Sequence, residues 1–198
     1  MLAVADCTGH GVPGAFMSMI GISLLNDITL RNKVHSPASI LKEMNALIRK
    51  ILKQEADGAN QDGMDILVCT WEKNDDNTFK VTVCGAKRPL YYSSPEGIQT
   101  VKGINKSIGG RSRGKQKEFE DYEFTVPKGT KLFLTSDGFV DQPGIQRRKI
   151  STQKLIKLLD KLQTKSIDEI GQHLNTFLDN HQGQAAQRDD ITIVGVEL

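Results

Sequence analysis

The apolar positions change their spacing along the chain, and each change marks an element. Leu2 to Ala5 is a short apolar run of the kind a buried strand makes. Asp6-Cys7-Thr8-Gly9-His10-Gly11 follows as a loop with two glycines. From Val12 the pattern turns helical, with Phe16, Met19, Ile20, Ser23, Leu24 and Asp27 on neighbouring turns. Pro13 fits the first turn, where its missing N–H costs nothing. Ser36-Pro37 predicts a second helix, a cap followed by proline at the first helical position. Its apolar stripe is Ile40, Leu41, Met44, Leu47, Ile48, Ile51 and Leu52. Glu55 to Gly63 reads as a polar linker.

The middle of the chain reads as β-sheet. Strands are predicted over 65–73, 78–84, 90–93, 98–102, 119–126 and 131–135, separated by turns such as Asn74-Asp75-Asp76-Asn77 and Pro127-Lys128-Gly129. Residues 104–117 look like a loop. Two helices are predicted after Ser136-Asp137-Gly138, over 152–162 and from 167 to about 181. The second has Ser166 and Glu169 in capping-box spacing. A final strand runs from Ile191 to Leu198. Helices, a strand-rich block, helices and a closing strand suit an α+β layer fold better than strict βαβ alternation.

Composition narrows the class. The chain has 198 residues, 38% hydrophobic and 25% charged, which fits one globular domain spanning 1–198. Its longest unbroken apolar runs, such as Ile66-Leu67-Val68-Cys69, fall short of a membrane span, so no membrane contact is expected. Lys and Arg number 26 against 24 Asp and Glu, and this balance argues against a dedicated nucleic-acid binder. Two basic clusters, Arg111/Arg113/Lys115/Lys117 and Arg147/Arg148/Lys149, are either solvated loops or a landing site for an acidic or phosphorylated partner. Three widely spaced cysteines form no CxxC pair, and Cys69 and Cys84 read as core residues of a protein of the reducing cytosol.

Candidate chemistry lies in the acids. Asp6 ends a strand at a glycine-rich loop, Asp137 ends a strand in Ser-Asp-Gly, and Asp189-Asp190 precede a strand. If the last strand runs antiparallel to the other two, all these acids fall on one sheet edge. Clustered carboxylates call for a cation, and hard oxygen donors suit Mg²⁺ or Mn²⁺. Each acid taken alone is equally a turn or cap residue. Asp62 and Asp65 are either a further weak metal site or turn and strand-start residues. Arg88 can contact a phosphate or be an exposed turn residue, and Ser136 is read as orienting its loop.

Asp6-Cys7-Thr8-Gly9-His10-Gly11-Val12-Pro13-Gly14-Ala15 resembles the DxTGHGxPGA segment of metal-dependent protein serine/threonine phosphatases. These are the bacterial sporulation-phosphatase and sigma-factor-regulator branch of the PP2C-like superfamily. Gly63-Met64-Asp65-Ile66, Cys84 to Leu90, Leu134-Thr135-Ser136-Asp137-Gly138 and Arg188-Asp189-Asp190-Ile191-Thr192 continue the resemblance in order. It implies an α/β/β/α sandwich of two antiparallel sheets flanked by helices. It also implies two ions of Mn²⁺ or Mg²⁺ that activate water for in-line attack on a phosphoserine or phosphothreonine. By the same resemblance, Asp6 bridges the metals, the Cys7 carbonyl helps to hold one, and Asp137 and Asp189 are terminal ligands. Asp190 is assigned a supporting place beside the ligands. His10 can protonate the leaving alkoxide or simply be a loop histidine bonded to water.

The implied partner is a phosphorylated protein such as an anti-sigma-factor antagonist, with a sensor domain upstream in a longer chain and a homodimer allowed. The family's earlier acidic motif of the GDFYD type has no counterpart in the five residues before Asp6. The expectation is therefore a phosphatase domain without its N-terminal strands. Its rival is a catalytically impaired module of the same fold that binds a regulatory partner. A two-metal nuclease would need a basic surface, which the charge balance disfavours.

Overall fold

The computed structural model describes residues 1–9, 11–31, 33, 35–54, 60–110 and 118–198. The chain folds as two compact units, each built from two separate stretches of sequence. The first comprises Met1–Arg88 with Lys102–Thr125, and the second Pro89–Val101 with Val126–Leu198.

The first unit is built on an antiparallel sheet in the order β1 (Leu2–Cys7), β2 (Gly63–Lys73), β3 (Thr78–Ala86) and β7 (Tyr122–Pro127), with the short β6 (Ile108–Gly109) also pairing with β2. The β1–β2 register runs from Leu2 opposite Cys69 to Cys7 opposite Met64, which sets Asp6 opposite Asp65. β2 is apolar on both faces through Ile66, Leu67, Val68 and Cys69, all buried. Burial pushes the Cys69 thiol up to about 12 and the Cys84 thiol up to about 11, so both stay protonated at neutral pH.

Helices α1 (Gly11–Asn26) and α2 (Pro37–Ile51) belong to the core of this unit. The α2 stripe is buried as its spacing predicts, at Ile40, Leu41, Met44 and Ile48, whereas Ile51 is exposed. Its start is doubly fixed. Ser36 Oγ accepts from the Ser39 N–H at 3.2 Å, and the Asp121 carboxylate accepts from Ser36 Oγ at 2.6 Å and from the Ala38 N–H at 2.7 Å.

α1 differs from its expected stripe. Gly14, Met17, Gly21 and Leu24 face inward, while Phe16 and Met19 are 61% and 67% exposed. The inward face is chosen by size: a Cβ on Gly21 would lie 2.8 Å from the Met64 side chain, so the glycine lets the helix settle on β2. A π-helical turn over Asp27–Arg31 continues α1. Gly11–Arg31 is thereby long and apolar enough to cross a membrane by length and composition, which unbroken apolar runs did not show, because small Ser and Gly residues interrupt them. Met17, Leu24 and Ile28 of this helix are nonetheless buried in the core of the unit.

The second unit holds an antiparallel sheet in the order β5 (Gly97–Val101), β4 (Leu90–Ser94), β8 (Lys131–Thr135) and β9 (Ile193–Glu197). Against it pack α3 (Gly138–Asp141), α4 (Thr152–Leu162) and α5 (Ile167–Gln182), around Tyr91, Phe133, Phe139, Leu155, Leu159 and Ile170. The capping box at Ser166 and Glu169 forms as its spacing predicts. Those backbone and hydroxyl donors at Ser166 hold the Glu169 carboxyl below its ordinary range.

Ser36→Ala removes the acceptor at the start of α2 and leaves the Asp121 carboxylate with one fewer donor. It should cost about 1 kcal/mol, read as a lower urea midpoint at unchanged slope.

Candidate active site

The loop after β1 is shaped by its backbone. The Thr8 N–H donates to the Gly63 carbonyl at 2.9 Å, and Thr8 Oγ1 accepts from the Gly63 N–H at 3.2 Å, tying the loop to the start of β2. Gly9 and Gly11 have φ of 88° and 66°, a region that L side chains rarely enter. A Cβ on Gly14 would lie 2.7 Å from the Gly9 carbonyl oxygen, so the first turn of α1 closes directly on the loop. Asp6 and Cys7 end up half-buried at the end of β1. Burial raises the Cys7 thiol above its ordinary value; the Ser18 hydroxyl, 3.6 Å from Sγ, pulls the other way, and the Asp6 charge adds to the rise. His10 lies outside the described residues, as do Arg111, Arg113, Lys115 and Lys117.

Opposite Asp6 stands Asp65, whose carboxylate is densely partnered. Arg88 Nη2 donates to Oδ2 at 2.8 Å, Ser107 Oγ donates to Oδ1 at 2.6 Å, and Lys87 Nζ lies 3.4 Å from Oδ1. The expectation of an exposed turn arginine is corrected here: the Arg88 side chain is 11% exposed and the Asp65 side chain 17%. The pairing of Asp65 with its two cations escaped the sequence reading, although a charge inside the apolar run of β2 was its visible sign. Asp62 is a loop residue whose N–H donates to Asn60 Oδ1 and whose carbonyl accepts from Gln54 Nε2.

In the second unit, Asp137 and Asp189-Asp190 do share one sheet end, because β9 runs antiparallel to β8 with Thr135 opposite Ile193. Ser136 fixes the junction: its N–H donates to the Thr192 carbonyl, and its hydroxyl donates to the Asp190 carbonyl and accepts from the Thr192 N–H, each at 3.0 Å. A Cβ on Gly138 would lie 2.2 Å from the Asp190 carbonyl oxygen, so the glycine is what lets the two segments meet. Asp137 is half-buried at the start of α3, and its side chain does not cap that helix, which argues against a plain cap role. Asp189 is exposed, and its Oδ1 accepts from the Asp190 N–H at 2.8 Å.

The expectation of a single acidic sheet edge is therefore corrected. Asp6 belongs to the sheet of the first unit, and Asp137, Asp189 and Asp190 flank strands of the second. Among the described residues no three His, Cys, Asp or Glu side chains gather into a group that could hold a metal ion. In donor chemistry the residues fit Mg²⁺ or Mn²⁺: Asp6 and Asp137 are half-buried carboxylates at strand ends, each beside a glycine-dependent backbone.

Two antiparallel sheets with helices, and acids at strand ends before glycine-led turns, define a PP2C-like α+β phosphatase fold. The family model "Stage II sporulation protein E (SpoIIE)" matches residues 1–198, and the chain belongs to that family. The SiaA-PP2C domain of Pseudomonas aeruginosa is 27% identical and superposes with a TM-score of 0.82, over 99% of this chain and 74% of its own. The PP2C phosphatase domain of SpoIIE from Bacillus subtilis, solved with a fragment of its regulatory domain, is 18% identical with a TM-score of 0.70, over 99% of this chain and 53% of its own. RsbX in complex with magnesium is 18% identical with a TM-score of 0.60, over 98% of this chain and 78% of its own. No curated protein sequence matches the chain.

Gly138→Ala should force the Asp137 turn away from the Asp190 carbonyl. A destabilisation of about 1–3 kcal/mol is expected, seen as a lower thermal midpoint; an unchanged midpoint would contradict the close approach.

Proposed function

We propose that this chain is a metal-dependent protein serine/threonine phosphatase. The observation that carries the reading is the SpoIIE family match over residues 1–198, with Asp6 at the next-to-last position of β1, Asp137 two residues after β8 and Asp189 four residues before β9. By the family resemblance, the Asp6 carboxylate and the Cys7 carbonyl would supply metal donors from the first unit, and the Asp137 and Asp189 carboxylates would supply them from the second, with Asp190 supporting Asp189. When bound, two divalent ions supply charge stabilisation at the phosphoryl oxygens and an activated water. The residues themselves fix donor positions, and they do so through backbone: Thr8 ties the Asp6 loop to Gly63, and Ser136 ties the Asp137 turn to Asp190 and Thr192. His10 would either return a proton to the leaving serine or threonine oxygen or serve as a loop histidine bonded to water.

The substrate in this reading is a phosphorylated signalling protein of the anti-sigma-factor-antagonist kind, met in the cytosol. A regulatory domain on the same polypeptide is supported by the SpoIIE structure from Bacillus subtilis, which pairs its phosphatase domain with one. RsbX bound to magnesium supports the choice of ion. A second reading is a phosphatase-fold module that binds a regulatory partner without turnover.

Phosphate release from a phosphoserine protein, measured with Mn²⁺ and with EDTA, decides between them. Release that depends on Mn²⁺ is expected, and Asp137→Asn should abolish it while leaving the circular dichroism spectrum unchanged. Full activity of that variant would remove Asp137 from the ligands. The thermal midpoint should also rise in millimolar Mn²⁺, because a ligand that binds only the folded chain stabilises it; no rise at any concentration supports the binding module.

A further inference from the structure

The phosphatase reading assigns Asp6 but leaves its neighbour across the strand pair unexplained. Asp65 sits directly opposite Asp6 in the β1–β2 register. Opposed residues on antiparallel strands carry their Cβ atoms about 4.5–5.5 Å apart on the same face, and like charges there repel. A charged residue at position 65 is thus a local fault unless something offsets it.

The offset is built with care. Lys87 and Arg88 reach Asp65 from the loop after β3, and Ser107 adds a hydroxyl donor. That loop is strained into place. Lys87 has φ of 60°, its N–H donates to the Ile104 carbonyl at 2.8 Å, and the Ile104 N–H donates to the Gly85 carbonyl at 2.9 Å. A Cβ on Gly85 would lie 2.1 Å from the Arg88 carbonyl oxygen, and one on Gly103 would lie 2.6 Å from it. Left-handed backbone at a non-glycine residue is costly and persists where the surrounding structure fixes it. Here it sets two cations against one carboxylate.

We propose that the Asp65–Lys87–Arg88 cluster is a charge counterweight that sets how tightly the Asp6 site holds a divalent cation. The inference rests on Asp6 being a metal ligand. Asp6 and Asp65 contribute two negative charges, and Lys87 and Arg88 return two positive ones. Asp65 therefore raises affinity for a dication, and Lys87 and Arg88 lower it. Asp65 acts through the field at Asp6 and is a positioning residue, not a catalytic one. The balance keeps the metal exchangeable.

The sign of the effect separates this role from a structural one. Mn²⁺ affinity is measured by titration calorimetry on the full chain, with circular dichroism as a check on folding. Asp65→Asn should weaken binding about tenfold, and the double variant Lys87→Gln/Arg88→Gln should tighten it about tenfold, as expected for one or two charges acting on a dication through partly screened protein. Added salt should shrink both changes. If both variants weaken binding, or neither changes it, the counterweight is overturned and the cluster is scaffolding. Should Asp65→Asn fail to fold, the double variant decides alone, since only the charge role predicts tighter binding. Wild-type chain that takes up no Mn²⁺ overturns this inference together with the metal-dependent reading. Wild-type chain that binds Mn²⁺ but releases no phosphate overturns the phosphatase reading, and the affinities still decide the counterweight.

Discussion

Asp6 and Asp65 stand opposite each other across β1 and β2, and much of the first unit can be traced to that opposition. Two carboxylates on facing positions repel unless counter-charge is brought to them. Bringing it requires the segment after β3 to double back, which only glycines at 85 and 103 permit. It also requires Lys87 to accept a left-handed backbone. Thr8 then ties the Asp6 loop to the same strand, at Gly63, two residues before Asp65. The register of one strand pair thus governs a loop far along the chain.

The second unit solves a different problem by similar means. There the two acid-bearing segments meet backbone to backbone at Gly138 and Asp190. Ser136 supplies the bonds that a sheet ladder no longer can beyond the strand ends. In both units small or hydroxyl residues next to the acids position the backbone that carries them. That role explains why Thr8, Ser136 and the glycines recur beside Asp6 and Asp137 in the motif segments.

Much of this was legible from residue order. Ser36-Pro37 and Ser166 with Glu169 announced two helix starts, because caps are local chemistry read over four residues. The strands read over 65–73, 78–84 and 131–135 as apolar runs bounded by turns form as β2, β3 and β8, with β2 starting two residues earlier and β3 ending two residues later than read. The inward face of α1 was not legible, because it includes glycines at 14 and 21, which hydrophobicity does not reveal. The placement of Asp6 in a different sheet from Asp137 was also hidden, since strand pairing is a long-range property. The partners of Asp65 lie 22, 23 and 42 residues further on, at Lys87, Arg88 and Ser107, too distant for any periodicity to join them.

The interleaving of the two units sets a timetable for synthesis. The hairpin of β4 and β5 leaves the ribosome inside the sequence of the first unit, yet β4 must wait for β8, whose residues begin at Lys131. At ordinary translation rates that interval is about 2–8 s. During it the inner edge of β4, with the apolar Leu90 and Tyr91, has no strand to pair with. The first unit is likewise unfinished until Thr125 has been made. The second unit waits longer still, for β9 at Ile193–Glu197, so its early hairpin leaves a sheet edge exposed on the nascent chain for longer than a simple tandem arrangement would.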